Sequence, residues 1–225
     1  KLGGRELMHG SDLDIVFVYD HAPEVEASDG PKPLAPSVYF MRLAQRIVSA
    51  ISAPTGEGRL YEVDLRLRPS GNKGPIAVHI DGYLDYLQNS AWTWEHMALT
   101  RARPICGNGT FQDRIRAGIA DILQQERDRD TLFSDIQDMR QRMAKEHKGE
   151  SIWDIKHRSG GLVDIEFVTQ ALQLLHASSA PAVLSTSTAG ALTQLRQAKL
   201  LQDDIANTLL SSLTLWQSLQ SIIRL

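Results

Sequence analysis

Hydrophobic positions follow two different periods along this chain, one in the first third and another in the remainder. Residues 14–19 (DIVFVY) form a short apolar run rich in β-branched and aromatic side chains, which predicts a buried strand. Apolar and polar residues alternate over 60–68, which predicts a second strand, and 76–80 predicts a third. Between the first two strands, apolar residues with a helical period predict a helix that Ser37 caps.

Beyond Asp81, almost every segment has the apolar period of an amphipathic helix. The pattern predicts helices, the first of them broken near Asn89 or Ser90, over 81–101, 109–126, 131–147, 161–177, 188–200 and 202–224. This order of elements predicts an α+β fold, in which a small mixed-sheet domain over residues 1–106 precedes a helical bundle domain over residues 107–225.

The composition is that of a globular protein that builds its own core, because 42% of the residues are hydrophobic and 23% are charged. A formal net charge of −3 provides no basic field for nucleic-acid binding. The single cysteine, Cys106, excludes an internal disulfide, and no apolar run reaches the roughly 18 residues of a membrane span. We therefore expect a cytoplasmic protein without a nucleic-acid or membrane partner. The start at Lys1 and the amphipathic run at the other end predict a fragment of a longer protein.

Three aspartates form the most informative pattern in the chain. Asp12 and Asp14 open the first predicted strand two residues apart, so they point to the same face, and Asp64 stands on the second predicted strand. Carboxylates this close repel each other unless a cation lies between them. Hard oxygen ligands suit magnesium, and two ions about 3.5–4 Å apart assist in-line displacement at phosphorus. The alternatives are a turn pair before a strand and a solvated Asp64 partnered by Arg66 or Arg68.

A glycine pair and a serine precede the aspartates. Gly3 and Gly4 remove side chains where backbone approaches phosphate oxygens, and the Ser11 hydroxyl adds a hydrogen-bonding group. Together they predict contacts to the β and γ phosphates of a nucleotide. An ordinary tight turn is the alternative for the glycines.

Two arginine pairs are further candidates for phosphate contacts. Arg66 and Arg68 share the predicted strand face of Asp64, and their guanidinium groups suit a triphosphate. The alternative is that they only balance the aspartate charges. Arg101 and Arg103 follow the tryptophan-containing helix and either reach phosphate or lie at the surface.

Four stretches spread over nearly the whole chain resemble one family, the bacterial glutamine synthetase adenylyltransferases, also called glutamate-ammonia-ligase adenylyltransferases. The stretches are KLGGRELMHGSDLDIVFVYD, LYEVDLRLRPSGNKGPIAV, AWTWEHMALTRARPICG and KHRSGGLVDIEFVTQAL. The resemblance implies the fold of the polymerase-β-like nucleotidyltransferases for the first domain.

The resemblance also implies an activity. The family is bifunctional: one nucleotidyltransferase copy removes AMP from glutamine synthetase by phosphorolysis, and a C-terminal copy attaches AMP from ATP to a tyrosine of glutamine synthetase. This chain resembles the C-terminal copy in the runs RLRPSGNKG and AWTWEHMAL. Carried over to this sequence, the likeness implies that Asp12, Asp14 and Asp64 bind two magnesium ions and that Gly3, Gly4 and Ser11 contact ATP. It further implies regulation of nitrogen assimilation, with the PII signal protein acting through the full-length enzyme.

Several questions stay open at the level of sequence. Asp164 and Glu166, in the first turns of a predicted helix, either complement the helix dipole or help to position the catalytic domain. The alternative functions are the deadenylylating half of the same enzyme, a non-catalytic regulatory nucleotide-binding module, and uridylyl transfer to PII.

Overall fold

The computed structural model describes residues 1–8, 10–58, 61–147 and 153–223. Its strands are β1 (Leu13–Asp14), β2 (Phe17–Tyr19), β3 (Val63–Asp64) and β4 (Ala77–His79). Its helices are α1 (Pro36–Ser52), α2 (Ile80–Asn89), α3 (Thr93–Leu99), α4 (Gly109–Leu123), α5 (Arg129–Glu146), α6 (Leu162–His176), α7 (Thr188–Gln197) and α8 (Asp203–Ile223). The predicted ends at Leu60 and residue 224 lie outside these ranges. The α+β class is confirmed.

The strands form two short parallel pairs, β1 with β3 and β2 with β4. Among the described residues both ladders are parallel, so the prediction of a mixed sheet was wrong in this respect. The first predicted strand is divided into β1 and β2. The second is confined to Val63–Asp64, because a turn over 66–70 ends the extended backbone. Of the described residues in the alternating segment 60–68, only Val63 and Asp64 therefore lie in a strand.

The helices follow the predicted pattern closely. The break near Asn89 is confirmed, since α2 ends there and α3 begins at Thr93. The predicted cap of α1 was wrong: the helix begins with Pro36, a residue whose fixed φ suits the first turn, so Ser37 lies inside it. None of the helices within the described residues combines the length and the apolar character needed to cross a bilayer.

The largest hydrophobic cluster joins the two parts of the chain. It packs Val78 and Ile80 against Ile119, Leu132 and Leu174, all of them buried. Residues on both sides of position 106 therefore share one core, and the division into domains at 1–106 and 107–225 stays a prediction.

The start of α6 depends on two glycines. Gly160 has a φ of +74°, a conformation that suits glycine. A Cβ on Gly161 would lie 2.6 Å from the carbonyl oxygen of Ile155 and 2.8 Å from that of Arg158. Asp164, in the first turn, accepts a hydrogen bond from the Gly160 N–H (2.7 Å) and forms an ion pair with Arg140. Both contacts stabilise the start of α6, in keeping with a structural role for Asp164 at the end of the helix.

Candidate functional site

The pairing of β1 with β3 brings two of the three aspartates side by side. Asp14 is the register partner of Asp64. Paired residues on neighbouring parallel strands point to the same face, so their carboxylates share one surface. The ladder is held by backbone hydrogen bonds from Leu13 N to Glu62 O (2.8 Å) and from Ile15 N to Asp64 O (2.9 Å).

Asp12 meets Asp64 at a cavity of about 460 Å³ beside this ladder. Polar side chains supply much of its wall, and the lining residues are Asp12, Glu62, Val63, Asp64, Leu65, Arg66, Arg68, Asn72 and Ile76. Four of these, Asp12, Asp64, Arg66 and Arg68, are residues predicted from the sequence, whereas Glu62 and Asn72 were not predicted. Strand alternation offered a signal for Glu62, which stands two residues before Asp64.

The two neighbouring aspartates have opposite electrostatic environments. Desolvation raises the pKa of Asp14, and repulsion from Asp64 and Asp12 adds to this, while the positive charges of the Lys1 amino group and of Arg101 lower it. In contrast, the hydrogen-bonded Arg66 side chain lowers the pKa of Asp64. The two neighbouring carboxylates therefore differ in which form, neutral or charged, their surroundings favour.

Arg66 is the direct partner of Asp64. Its Nε donates to Asp64 Oδ2 at 2.8 Å and its Nη2 lies 2.5 Å from the same oxygen. The Arg66 side chain is 72% exposed, so only this ion pair and the local backbone fix its position. The alternative of a solvated Asp64 with an arginine partner is met only in the partner, because the Asp64 side chain is 18% exposed.

The carboxylates fit a divalent cation by their chemistry but do not enclose one. Within the described residues, no three His, Cys, Asp or Glu side chains converge closely enough to hold a metal ion. Asp64 accepts hydrogen bonds from Arg66, so an ion shared by all three aspartates would compete with Arg66 for the Asp64 oxygens. The hard oxygen donors and the repulsion between the carboxylates, which raises the pKa of Asp14, both favour a cation such as magnesium. The metal roles of Asp12, Asp14 and Asp64 stay predictions.

Arg68 has a different position from Arg66. Its side chain is buried, with Nη1 donating to Leu65 O (2.7 Å) and Nε to Gly74 O (3.2 Å). These bonds close the turn that follows β3. Arg68 lines the cavity, but part of its hydrogen-bonding capacity is already used by the backbone.

The glycine pair and Ser11 are closely packed. A Cβ on Gly3 would lie 1.7 Å from the carbonyl oxygen of Arg101, and one on Gly4 would lie 2.6 Å from that of Thr186. Ser11 is buried, and its Oγ accepts a hydrogen bond from Met8 N at 3.1 Å. Close packing therefore explains why glycine is needed at both positions, and contacts of all three residues to phosphate stay predictions.

Arg101 and Arg103 are neither free surface residues nor members of the cavity wall. Arg103 donates to the carbonyl oxygens of Gly3 (3.0 Å) and Leu2 (3.2 Å). Arg101 forms ion pairs with Glu6 (2.9 Å) and with Glu166 of α6 (3.1 Å). No periodic pattern in the sequence connects these segments, so this network could not be predicted from local patterns.

Comparison with known proteins shows what the chain is similar to. Residues 1–118 match the family model for glutamate-ammonia ligase adenylyltransferase, and residues 130–225 match the model for GlnD PII-uridylyltransferase. The chain is similar to three proteins named bifunctional glutamine synthetase adenylyltransferase/adenylyl-removing enzyme. The Brucella suis protein is 55% identical over 76% of this chain and 17% of its own length. Those of Bradyrhizobium diazoefficiens and Rhizobium meliloti are 43% and 46% identical over the whole chain and 23% of their own length.

The chain thus spans between 17% and 23% of the length of these relatives. The name of these relatives covers two opposite activities, one that adds an adenylyl group and one that removes it.

Proposed function

This chain belongs to the glutamate-ammonia ligase adenylyltransferase family, and from that premise we propose that it carries the site that transfers AMP from ATP to a tyrosine of glutamine synthetase. The observation that supports this most directly is the register of β1 and β3, which sets Asp14 beside Asp64 while Asp12 and Asp64 line one cavity. The reaction would regulate nitrogen assimilation. The names of the relatives include glutamine synthetase, which supports it as the protein substrate.

In this proposal, Asp12, Asp14 and Asp64 would hold two magnesium ions, whose bound chemistry would be charge neutralisation of the triphosphate and activation of the α-phosphorus for in-line attack. The mutual repulsion of the neighbouring carboxylates, which raises the pKa of Asp14, favours a cation at this place. Gly3, Gly4 and Ser11 would provide backbone and hydroxyl contacts to the triphosphate, with Arg66 and Arg68 as its positively charged neighbours.

Asp64 has a second proposed role, as acceptor of the tyrosine proton. The ion pair with Arg66 lowers the pKa of Asp64 and makes it a weak base. Arg66 is exposed and reaches the cavity, so an incoming triphosphate competes with Asp64 for its guanidinium. Transfer of Arg66 to phosphate would free Asp64 at the moment when nucleotide is bound.

The direction of the reaction rests on the runs RLRPSGNKG and AWTWEHMAL, which resemble the adenylylating copy. Phosphorolytic removal of AMP is the second candidate, because the names of the relatives include an adenylyl-removing activity. The match of residues 130–225 to a PII-uridylyltransferase model supports comparing ATP with UTP as donor, and it is compatible with PII as a regulatory partner. A non-catalytic nucleotide-binding module would release neither pyrophosphate from ATP nor ADP from adenylylated target and phosphate.

The test uses purified protein with glutamine synthetase and radiolabelled nucleotide. ATP with unmodified target measures AMP transfer, UTP replaces ATP in a second reaction, and phosphate with adenylylated target measures removal. We expect transfer from ATP, and we expect Asp12→Asn, Asp14→Asn and Asp64→Asn each to reduce it by about 100-fold or more, because each removes charge from the reacting centre.

Asp113→Asn is the matched control, because Asp113 is an exposed acid paired with Arg116 away from the cavity. It should transfer AMP at the wild-type rate. Near-normal transfer by folded Asp14→Asn protein would end the proposal, whereas AMP removal without transfer would assign the chain to the opposite reaction.

A further inference from the structure

A buried ion-pair network lies outside the cavity, between the N-terminal segment and α6. Arg101 contacts Glu6 through Nη2 (2.9 Å) and Glu166 through Nη1 (3.1 Å). The three side chains are only 14–18% exposed. Charges buried to this extent are costly unless they are paired. The pairing therefore holds the N-terminal segment, the segment after α3 and α6 in one arrangement.

The backbone around Arg101 contacts the glycine pair directly. The position of a Cβ on Gly3 is 1.7 Å from the Arg101 carbonyl oxygen, which leaves no space between the two segments. Two residues further on, Arg103 donates to the Gly3 carbonyl oxygen at 3.0 Å. Any displacement of Arg101 therefore displaces the segment that leads to Asp12.

We propose that Arg101 and Glu166 form a positioning pair through which α6 sets the placement of the Gly3–Gly4 segment relative to the catalytic aspartates. Neither residue lines the cavity. Both act through the backbone that they hold, so they are positioning residues. The inference rests on the proposed function, since it assigns a role in the same reaction.

The ion pairs of Arg101 extend from Glu6 in the N-terminal segment to Glu166 in α6. One side chain therefore connects the segment that leads to Asp12 with the helical part of the chain.

The same helix provides a matched control pair. Arg140 and Asp164 form a second ion pair at α6, of similar burial, and Asp164 also accepts a hydrogen bond from the Gly160 N–H just before the helix. Loss of either pair removes one ion pair from α6. Only the Arg101–Glu166 pair adjoins the segment that leads to Asp12.

The experiment measures kcat and KM for AMP transfer, together with the thermal midpoint, for wild type, Glu166→Gln, Arg101→Gln, Arg101→Lys and Asp164→Asn. We expect kcat to fall roughly 10- to 100-fold in Glu166→Gln and Arg101→Gln, because displacements of about 1 Å at a reacting centre have effects of this size. Arg101→Lys keeps the charge and should recover part of kcat. Asp164→Asn should lower the thermal midpoint and leave kcat within about threefold of wild type.

Two outcomes contradict the inference. In one, Glu166→Gln and Asp164→Asn lower the thermal midpoint alike and both keep wild-type kcat, which would make the Arg101 pair only a stabilising contact. In the other, Arg101→Lys is as defective as Arg101→Gln. Failure of the proposed function gives a different result: wild-type protein would then transfer no AMP, or Asp14→Asn would transfer it normally.

Discussion

At the scale of single residues, two neighbouring aspartates have different environments. Arg66 is bonded to Asp64 and lowers its pKa, whereas desolvation raises the pKa of Asp14 against the opposing charges of Lys1 and Arg101. The sequence was sufficient to predict that Asp14 and Asp64 share a face, because residue type and spacing on strands determine which side chains point the same way. It was insufficient for Arg68, because the turn over 66–70 ends the alternation and directs this side chain to carbonyl oxygens.

Arg66→Gln should change cation and nucleotide binding in opposite directions. Without its arginine partner, Asp64 is free for magnesium, so magnesium binding to the nucleotide-free protein should tighten. The KM for ATP should rise about 10-fold, since one hydrogen bond between charged groups is lost. Isothermal titration with magnesium and steady-state kinetics measure the two effects. Arg116→Gln, which removes another exposed arginine, is the control, and unchanged magnesium affinity in Arg66→Gln would contradict competition for Asp64.

At the scale of elements, helices were easier to predict than strands. An apolar period repeated over four or five turns indicates a helix almost regardless of context, as for α4 and α8. The strands have only two or three residues, and their extent depends on a parallel partner far along the chain. Their lengths, and the parallel pairing itself, were therefore beyond what local alternation contains.

The start of α6 provides a test at this scale. Gly161→Ala should reduce the free energy of unfolding by about 1–3 kcal/mol, because the added methyl group meets two backbone carbonyl oxygens that cannot rotate away. Denaturant unfolding followed by circular dichroism measures the change. Gly109→Ala is the matched control: Gly109 begins α4 and has open space around it, so we expect a change within about 0.5 kcal/mol. Equal stability of the two variants would contradict the packing described for Gly161.

At the scale of the whole molecule, one core joins the parts that the sequence separates. The change from short strands to helices predicted a domain boundary at position 106. The local hydrophobic pattern indicates which elements form, but it does not indicate which elements pack together. Val78 and Leu174 belong to one buried cluster although they lie on opposite sides of that boundary.

Leu174→Ala should therefore weaken both parts at once. Truncating a fully buried leucine costs about 2–5 kcal/mol, and hydrogen exchange should speed up at β4 as well as in α6. Val168→Ala, at an exposed position of the same helix, should leave both regions protected. Unchanged exchange at β4 in Leu174→Ala would instead indicate two parts that open independently.

The register of β1 with β3 has a consequence for when the candidate site can form during synthesis. Asp14 and Asp64 are fifty positions apart, so the intervening polypeptide must close into a loop before the two meet. Long-range parallel pairing of this kind is slow to form. A nascent chain that ends before Val63 already contains Asp12 and Asp14 but has no partner strand for them, and the pairing of Asp14 with Asp64 must wait until synthesis has passed that point.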